Sequence, residues 1–84
     1  MTTIKVKVLL FAHFADIAGS NQLELELDEP AHVADCARAL AAKYPGLEDI
    51  LKIGRAAVND QFADESHMLH DTDEVAFLPP VSGG

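Results

Sequence analysis

The sequence predicts an α+β domain in which one main helix packs against one face of a sheet. Two segments near the start alternate apolar and polar residues with the period of a strand, and a third segment carries apolar residues at helical spacing. A last alternating segment lies near the end of the chain. The length of 84 residues suits one small domain, and the apolar fraction of 49% is typical of a folded chain.

The first two segments predict a β-hairpin. A strand is expected from Ile4 to Leu10, with its even-numbered residues facing the core. Continuing the alternation places Leu9 and Phe11 on the opposite face, which begins with two lysines and becomes apolar at its end. Gly19-Ser20-Asn21 predicts a turn, and the strict alternation that follows it predicts a second strand over Gln22–Asp28.

The third segment predicts an amphipathic helix. Its stripe has i, i+3, i+4, i+7 spacing, which is typical of one buried helix face. Pro45-Gly46 should end this helix, and one further helical turn is expected from Leu47 to Leu51, before Gly54. The apolar stripe consists of Val33, Cys36, Ala37, Leu40, Ala41 and Tyr44.

Short strands complete the predicted sheet. Arg55–Val58 leads into a tight turn at Asn59-Asp60 and a brief return strand at Gln61-Phe62. A polar loop follows, and then a last strand over Glu74–Leu78, which Pro79-Pro80 must end because proline cannot donate to a ladder.

The position of the last strand in the sheet decides the architecture. If the first and last strands are neighbours, the arrangement is a β-grasp, which the periodicity permits without proving. Such neighbours would also bring Leu9 and Phe11 close to Ala76 and Leu78, if Val75 faces the core. These four residues form a candidate docking patch.

Charge and cysteine content restrict the partners and the compartment. Fourteen acidic and six basic side chains give a net charge of −8, which repels nucleic acid and anionic membrane surfaces. The first residues do not resemble a signal peptide, and Val8 to Ala12 is far shorter than the ~20 residues of a membrane helix. A single cysteine cannot form an internal disulfide, so we expect a cytoplasmic protein.

Most side chains with reactive chemistry have structural explanations. Cys36 lies on the apolar stripe and is expected to be a buried packing thiol. His67 and His70 have no cysteine pair near them, so no metal site is expected, and His32 suits the start of the helix. The acidic clusters fall at element ends, and the sequence has neither a phosphate-binding loop nor a nucleophile elbow. We therefore expect no free-standing enzyme.

The C-terminus is the exception. A bare Gly-Gly ending would suit a frayed tail, but here Pro79-Pro80 precedes it as a stiff spacer. The six residues to Gly84 reach at most about 20 Å, enough to enter a partner's pocket. Glycines without Cβ atoms pass a narrow channel and leave the last carbonyl carbon open to attack. Because a carboxylate is a poor electrophile, the terminus needs activation, most simply as an acyl-adenylate, before a sulfur nucleophile converts it into a thiocarboxylate.

These residues resemble the molybdopterin synthase small subunits of the ubiquitin-like sulfur-carrier family. The similarity extends over nearly the whole chain and includes Lys7 to Ala12, the helix and Ala57-Val58-Asn59. Its most specific part is the ending from Asp73 to Gly84, with the order strand, Pro-Pro, Val-Ser-Gly-Gly.

The resemblance implies a β-grasp domain over residues 1–78 and a flexible tail over residues 79–84. It implies that an ATP-using adenylyltransferase similar to ubiquitin-activating enzymes activates Gly84, which then carries sulfur as a thiocarboxylate. The large synthase subunit would receive the tail, with Ser82 and Gly83 as the threading segment and Phe11 and Leu78 at docking positions. The expected complex is a heterotetramer, the sulfur acceptor is a cyclic pyranopterin, and no cofactor is bound by the chain itself.

Two other functions share the activation chemistry. One is sulfur carriage for thiamin, cysteine or tRNA thiolation, and the other is conjugation to protein lysines through Gly84. The sequence also departs from the family at Asp71-Thr72-Asp73, where glycine often occupies the middle position. Threonine tolerates a positive φ badly, so the sequence leaves this turn type open.

Overall fold

A computed structural model describes residues 2–79 of the chain. Their core is a five-stranded sheet with the strand order β2-β1-β7-β4-β5, beside a separate two-stranded sheet of β3 and β6. The strands are β1 (Thr3–Leu10), β2 (Gln22–Asp28), β3 (Ala31–His32), β4 (Arg55–Val58), β5 (Gln61–Ala63), β6 (Met68–Leu69) and β7 (Glu74–Leu78). The α-helices are α1 (His13–Ala18), α2 (Val33–Lys43) and α3 (Glu48–Ile53), and a 3₁₀ turn covers Pro45–Leu47.

The first and last strands are parallel neighbours at the centre of the sheet. Val8 lies opposite Val75 in this pair, while β1 is antiparallel to β2 and β7 is antiparallel to β4. The longest helix, α2, packs on one face. This mixed sheet confirms the predicted α+β class and decides for the β-grasp arrangement that the periodicity left open.

The core lies between α2 and the inner face of the sheet. Val33, Cys36 and Leu40 of α2 are buried there, as the predicted stripe requires. The helix begins after His32, whose backbone N–H donates to the Asp35 carboxylate at 2.8 Å. This bond satisfies a backbone donor that the helix leaves unpaired at its start, and it confirms the predicted place of His32.

Two features of the fold were not predicted, the helix α1 and the pair of short strands β3 and β6. The connection between the hairpin strands contains α1, whose Phe14 is fully buried, and Gly19 ends α1 with a φ of 73°. The supposed polar loop before the last strand contains β6, which pairs with β3 and buries Leu69. Both elements are short, so their local periodicity is weak and tertiary burial decides them.

The predicted stop of α2 and the helical turn after it are confirmed. Pro45 starts the 3₁₀ turn, and α3 continues to Ile53, two residues beyond the predicted end and directly before Gly54. Leu47 is fully buried and joins this segment to the core. Within residues 2–79, no helix has both the length and the apolar character that crossing a membrane requires.

The sequence left the backbone conformation of the turn at residues 71–73 open, and the structure shows a positive φ at its middle residue. Thr72 has a φ of 70°, and its N–H donates to the Lys5 carbonyl oxygen at 2.8 Å. The Asp71 carboxylate accepts from the Lys5 N–H at 2.8 Å, so the turn is tied to β1 from both sides. A β-branched residue is therefore held in a conformation that favours glycine.

Candidate functional site

The outer face of the sheet, which α2 does not cover, carries a row of four apolar residues. Leu9 lies opposite Ala76, Ala76 opposite Ala57, and Ala57 opposite Phe62. Residues that face each other across neighbouring strands point to the same side of a sheet. The register therefore aligns one residue each from β1, β7, β4 and β5, and we name these four residues the outer row.

Exposure differs along the outer row. Leu9 and Ala76 are half-buried, Ala57 is buried although it lies outside the core cluster, and Phe62 on the edge strand is 70% exposed. The predicted docking patch contained Leu9 and Ala76 and missed Phe62. The sequence predicted a return strand that contains Phe62. It did not show that β4 lies beside β7, which is what brings Phe62 into line with Leu9 and Ala76.

The other two residues of the predicted patch lie beside the outer row, each two residues further along the chain than a member of the row. Leu78 is half-buried and opposite Arg55, and it lies two residues beyond Ala76 on the same strand face. Phe11 is 45% exposed and follows β1, whose pairing with β7 ends at Leu10. The backbone turns immediately after Phe11, because Ala12 has a φ of 53°.

The opposite half of the outer face is charged. Lys7 lies between Glu24 and Glu74 in the sheet, and its Nζ is 3.9 Å from a Glu74 carboxylate oxygen. Lys5 lies opposite Glu26. The outer face is thus polar where β7 begins and apolar where β7 ends, and the apolar half is the one next to the exit of the chain.

A cation borders the apolar half. The guanidinium carbon of Arg55 lies 5.3 Å from the centroid of the Phe62 ring, a distance suited to a cation–π contact. Arg55 makes no ion pair among residues 2–79, in a chain of strong negative charge. The contact restrains the most exposed aromatic side chain of the row.

The C-terminal segment that was predicted to be reactive continues from the end of β7 at this edge of the sheet. Leu78 ends β7, and Pro79 is the last residue that the structure describes. Ser82, Gly83 and Gly84, the predicted threading and sulfur-bearing residues, lie outside the described residues. Their roles remain predictions from the sequence.

Cys36 does not offer a second reactive group. Its side chain is buried in the core, and this burial raises the pKa of the thiol to about 12. A thiol with that pKa is almost wholly protonated at neutral pH, and the thiolate is the nucleophile. The predicted packing role is confirmed.

The acidic side chains near the loops hold backbone in place. Asp73 accepts hydrogen bonds from the His70 N–H at 2.8 Å and the Asn59 side-chain amide at 3.0 Å. The Ser66 hydroxyl and backbone N–H donate to Asp64, and these bonds lower the pKa of its carboxyl. Both carboxylates thus serve turns, as the positions of the clusters predicted.

Residues 2–79 hold no clustered set of metal ligands, since no three of their His, Cys, Asp or Glu side chains are placed to hold one ion. An open groove of about 400 Å³ lies between the helices and β4–β5, with Val33, Lys52 and Phe62 among its lining residues.

Central parallel first and last strands, one long helix across the inner face and an apolar outer face beside the C-terminal exit define a ubiquitin-like β-grasp protein. Comparison with protein families then gives a closer assignment. The chain belongs to the ThiS family, whose model matches residues 8–84.

Two curated relatives carry the same description. The molybdopterin synthase sulfur carrier subunit of Chlamydomonas reinhardtii is 36% identical, with 96% of this chain and 100% of the relative covered. The Escherichia coli K12 protein of that name is 38% identical, with 94% and 99% covered. The similarity thus extends over almost the full length of all three chains.

Solved structures agree in fold. SAMP1 from Haloferax volcanii has a TM-score of 0.85 and 31% identity, and the match covers 95% of this chain and 99% of that one. A chain of the Helicobacter pylori complex of subunits 1 and 2 of molybdopterin-converting factor has a TM-score of 0.65 and 27% identity, with 96% and 100% covered. The latter structure is a protein–protein complex of the two subunits.

Proposed function

We propose that this chain is the sulfur carrier subunit of a molybdopterin synthase in the cytoplasm. The observation that carries the proposal is the outer row, an apolar surface that crosses the sheet at Ala76, two residues before β7 ends at Leu78 and the C-terminal segment starts. Such a surface suits a partner that grips the body while the terminus enters it. Relatives at 36% and 38% identity named as molybdopterin synthase sulfur carrier subunits support the same conclusion.

The reacting group is the carboxylate of Gly84. Its oxygen attacks the α-phosphate of ATP on a separate adenylyltransferase, so that pyrophosphate leaves and an acyl-adenylate forms. A sulfur nucleophile then attacks the acyl carbon, and AMP leaves with its bonding electrons. The sulfur of the resulting thiocarboxylate attacks a carbon of the cyclic pyranopterin and displaces an oxygen substituent there. Water then cleaves the acyl–sulfur bond, so that the sulfur stays on the pterin and the carboxylate is restored at Gly84.

The body supplies recognition. Leu9, Ala76 and Leu78 form the half-buried part of the surface, and Phe62 provides an exposed aromatic anchor beside them. A few anchor residues, often aromatic, supply most of the binding energy at a protein–protein interface. We assign this surface to the large synthase subunit, in a heterotetramer, with Phe11 at its border. In this proposal residues 1–78 are the gripping domain and residues 79–84 are the inserted tail.

Protein modification is the second candidate function. It is favoured by the similarity to SAMP1, a small archaeal modifier protein with 31% identity. Both functions need adenylation at Gly84, but in modification the acceptor is a lysine amine and an amide bond forms. Sulfur carriage for thiamin, cysteine or tRNA thiolation differs only in the acceptor of the sulfur. The identity of the acceptor therefore separates the three.

The test combines the purified chain with an adenylyltransferase, ATP and a sulfur donor and measures its intact mass. We expect the mass increase of one oxygen replaced by sulfur, confined to the C-terminal peptide. The loaded chain is then mixed with a large synthase subunit and the pyranopterin precursor, and we expect molybdopterin to form as the mass returns to its starting value. An unloaded chain, or a loaded chain that gives no product, would refute the proposal.

Two C-terminal variants serve as controls. Deletion of Gly84 should leave the unfolding transition and the docking affinity nearly unchanged and abolish sulfur transfer. One alanine added after Gly84 should have the same effect, because the reactive carbonyl moves while the body stays the same. Product from either variant would show that sulfur is carried elsewhere on the chain. Appearance of lysine-linked conjugates without molybdopterin would establish modification instead.

A further inference from the structure

Three elements meet in close contact at Gly54, between α3 and β4. The Gly54 N–H donates to the Ile50 carbonyl oxygen at 2.9 Å, which ends α3. A Cβ atom at this position would lie 2.7 Å from the Leu78 carbonyl oxygen, 3.0 Å from Phe14 Cζ and 3.1 Å from the Ile50 carbonyl oxygen. The end of β7 therefore rests directly on the Gly54 backbone.

Residue 54 is a glycine because neighbouring atoms approach it closely, and not because of its backbone conformation. Gly54 has a φ of −81° and a ψ of −176°, a region open to every residue type. Two of the three nearest atoms are backbone oxygens, which cannot turn away as the end of a side chain can. Any side chain at residue 54 must therefore displace the Leu78 peptide or the end of α3.

Gly46 provides the contrast. A Cβ atom there would lie 3.1 Å from Ile17 Cγ2, which belongs to a partly exposed and rotatable side chain. An alanine at residue 46 can thus be accommodated by a small movement of Ile17, and its Cβ atom would lie within 4 Å of no β7 atom among the described residues.

The core fixes the other side of this contact. Phe14 is fully buried, and its ring lies 6.4 Å from that of Phe77, the residue before Leu78. Leu78 itself is held in the sheet opposite Arg55, the residue after Gly54. The last peptide of β7 is therefore confined between β4, α3 and Phe14, and Pro79 follows it with a restricted φ.

We propose that Gly54 is a positioning residue that sets the direction in which the chain leaves the sheet toward its reactive end. Its missing side chain lets the Leu78 carbonyl settle against the α3–β4 junction, and Pro79 continues that direction. The inference rests on the proposed function, because a fixed exit matters only if the terminus must reach a partner's reacting centre. A misplacement of about 1 Å at such a centre costs up to roughly 100-fold in rate.

The test compares Gly54→Ala with the matched control Gly46→Ala, each bearing a thiocarboxylate introduced by chemical ligation so that loading needs no activating enzyme. With the large subunit in saturating excess, the single-turnover rate of sulfur transfer and the docking Kd are measured. We expect Gly54→Ala to lose roughly 10- to 100-fold in rate while its Kd changes less than about threefold. Gly46→Ala should match the unsubstituted chain in both.

A purely structural role predicts another result. It would lower the unfolding midpoint of Gly54→Ala and leave the rate of the docked, folded fraction unchanged, and that outcome overturns the proposal. If Gly54→Ala does not fold, Pro79→Ala tests the same exit direction beyond the strand. An unchanged rate for that variant would also overturn the proposal.

A measurement on the isolated chain separates this inference from the proposed function. We expect Gly54→Ala to shift the NMR carbonyl and amide signals from Ala76 to Leu78 and to leave those of β2 in place. Absence of sulfur transfer from the unsubstituted chain would refute the function alone. Unmoved signals at Leu78 would refute the positioning role, whichever reaction the terminus performs.

Discussion

The Arg55 guanidinium lies over the Phe62 ring, 5.3 Å from its centroid, so that neighbouring strands share one aromatic and cationic contact on the outer face. The contact matters because Phe62 is the most exposed member of the outer row. An aromatic side chain restrained before binding loses less rotational freedom when a partner covers it. In the proposed function, we therefore expect Phe62 to contribute strongly to the free energy of docking.

Phe62→Ala should weaken docking to the large subunit by about 2–4 kcal/mol, since an exposed aromatic anchor is lost. The free energy of unfolding should change little, because the side chain is 70% exposed. Calorimetric titration measures the first and denaturant unfolding the second. Ile53→Ala is the matched control, an apolar side chain that is 62% exposed on α3, and it should bind normally. Equal affinities for the two variants would assign docking to another face.

Leu78→Asp should also weaken docking by about 2–4 kcal/mol, because a charge would be buried where an apolar side chain lay. Phe11→Ala tests the border of the same surface, and we expect an effect of the same order. Surface plasmon resonance with immobilised large subunit measures both. Normal binding by Leu78→Asp would contradict the assignment of the β7 end to the interface.

Thr72→Gly should stabilise the fold by about 1 kcal/mol. Thr72 has a φ of 70°, a conformation that costs a β-branched residue roughly 1–2 kcal/mol, and glycine recovers most of this after its larger loss of chain entropy. For a domain of this size the unfolding midpoint should rise by about 4–8 °C. Thr72→Asn should fall between threonine and glycine. A lower midpoint for the glycine variant would show that the threonine side chain contributes a contact worth more than the strain.

Cys36 should resist alkylation in the native protein. Its burial raises the thiol pKa to about 12, so the thiolate is scarce and covered. We expect labelling at pH 7.5 to be at least about 100-fold slower than in denaturant, as followed by intact mass. Sulfur loading should proceed unchanged after the native chain has been treated with the alkylating reagent, because Cys36 is its only cysteine. Rapid native labelling would contradict the buried position and reopen Cys36 as a carrier of sulfur.

Asp35→Asn should show how much the negative charge of Asp35 at the start of α2 stabilises the fold. The His32 backbone N–H, the His32 ring and Arg38 all lower the pKa of the Asp35 carboxyl below its ordinary 3.8. A lowered pKa means that the ionised carboxylate stabilises the fold above pH 3.8 and that this stability is lost as the pH falls through the lower, folded value.

The variant should therefore be less stable at pH 7 by about 0.5 kcal/mol, and the difference should shrink as the pH falls below 3.8. Unfolding midpoints across this range measure the difference. Asp49→Asn provides a control in the first turn of another helix, and its difference should stay smaller. A constant gap for Asp35→Asn from pH 7 to pH 3 would rule out a contribution from its charge.

Much of the fold follows from local pattern. The alternation in β1 and β2 and the apolar stripe of α2 extend over enough residues to predict which side chains are buried, and each prediction is confirmed. The Asn59-Asp60 turn was predicted from residue types that tolerate a positive φ, and both residues adopt one. The failures were α1 and the β3–β6 pair, because two to six residues carry too little periodicity and distant neighbours stabilise them.

The proposed docking surface also contains residues that the sequence predicted and residues that only the structure added. Leu9 and Ala76 were predicted as neighbours, and the parallel register of β1 and β7 confirms that placement. Phe62 and Ala57 entered the row only with the order β7-β4-β5, since strand order joins segments that are distant in the chain. The use of this surface for docking remains a proposal.

The amino-acid sequence by itself determined the class of fold, the inward faces of the long elements and the chemical character of the C-terminal ending, since each depends on residues close together in the chain. The tertiary structure decided which strands are neighbours, that Phe62 completes an apolar row, and that Gly54 supports the Leu78 carbonyl. Most of those contacts join residues far apart in the chain, such as Gly54 and Leu78 or Leu9 and Ala76, and only the packing of the whole core fixes their distances.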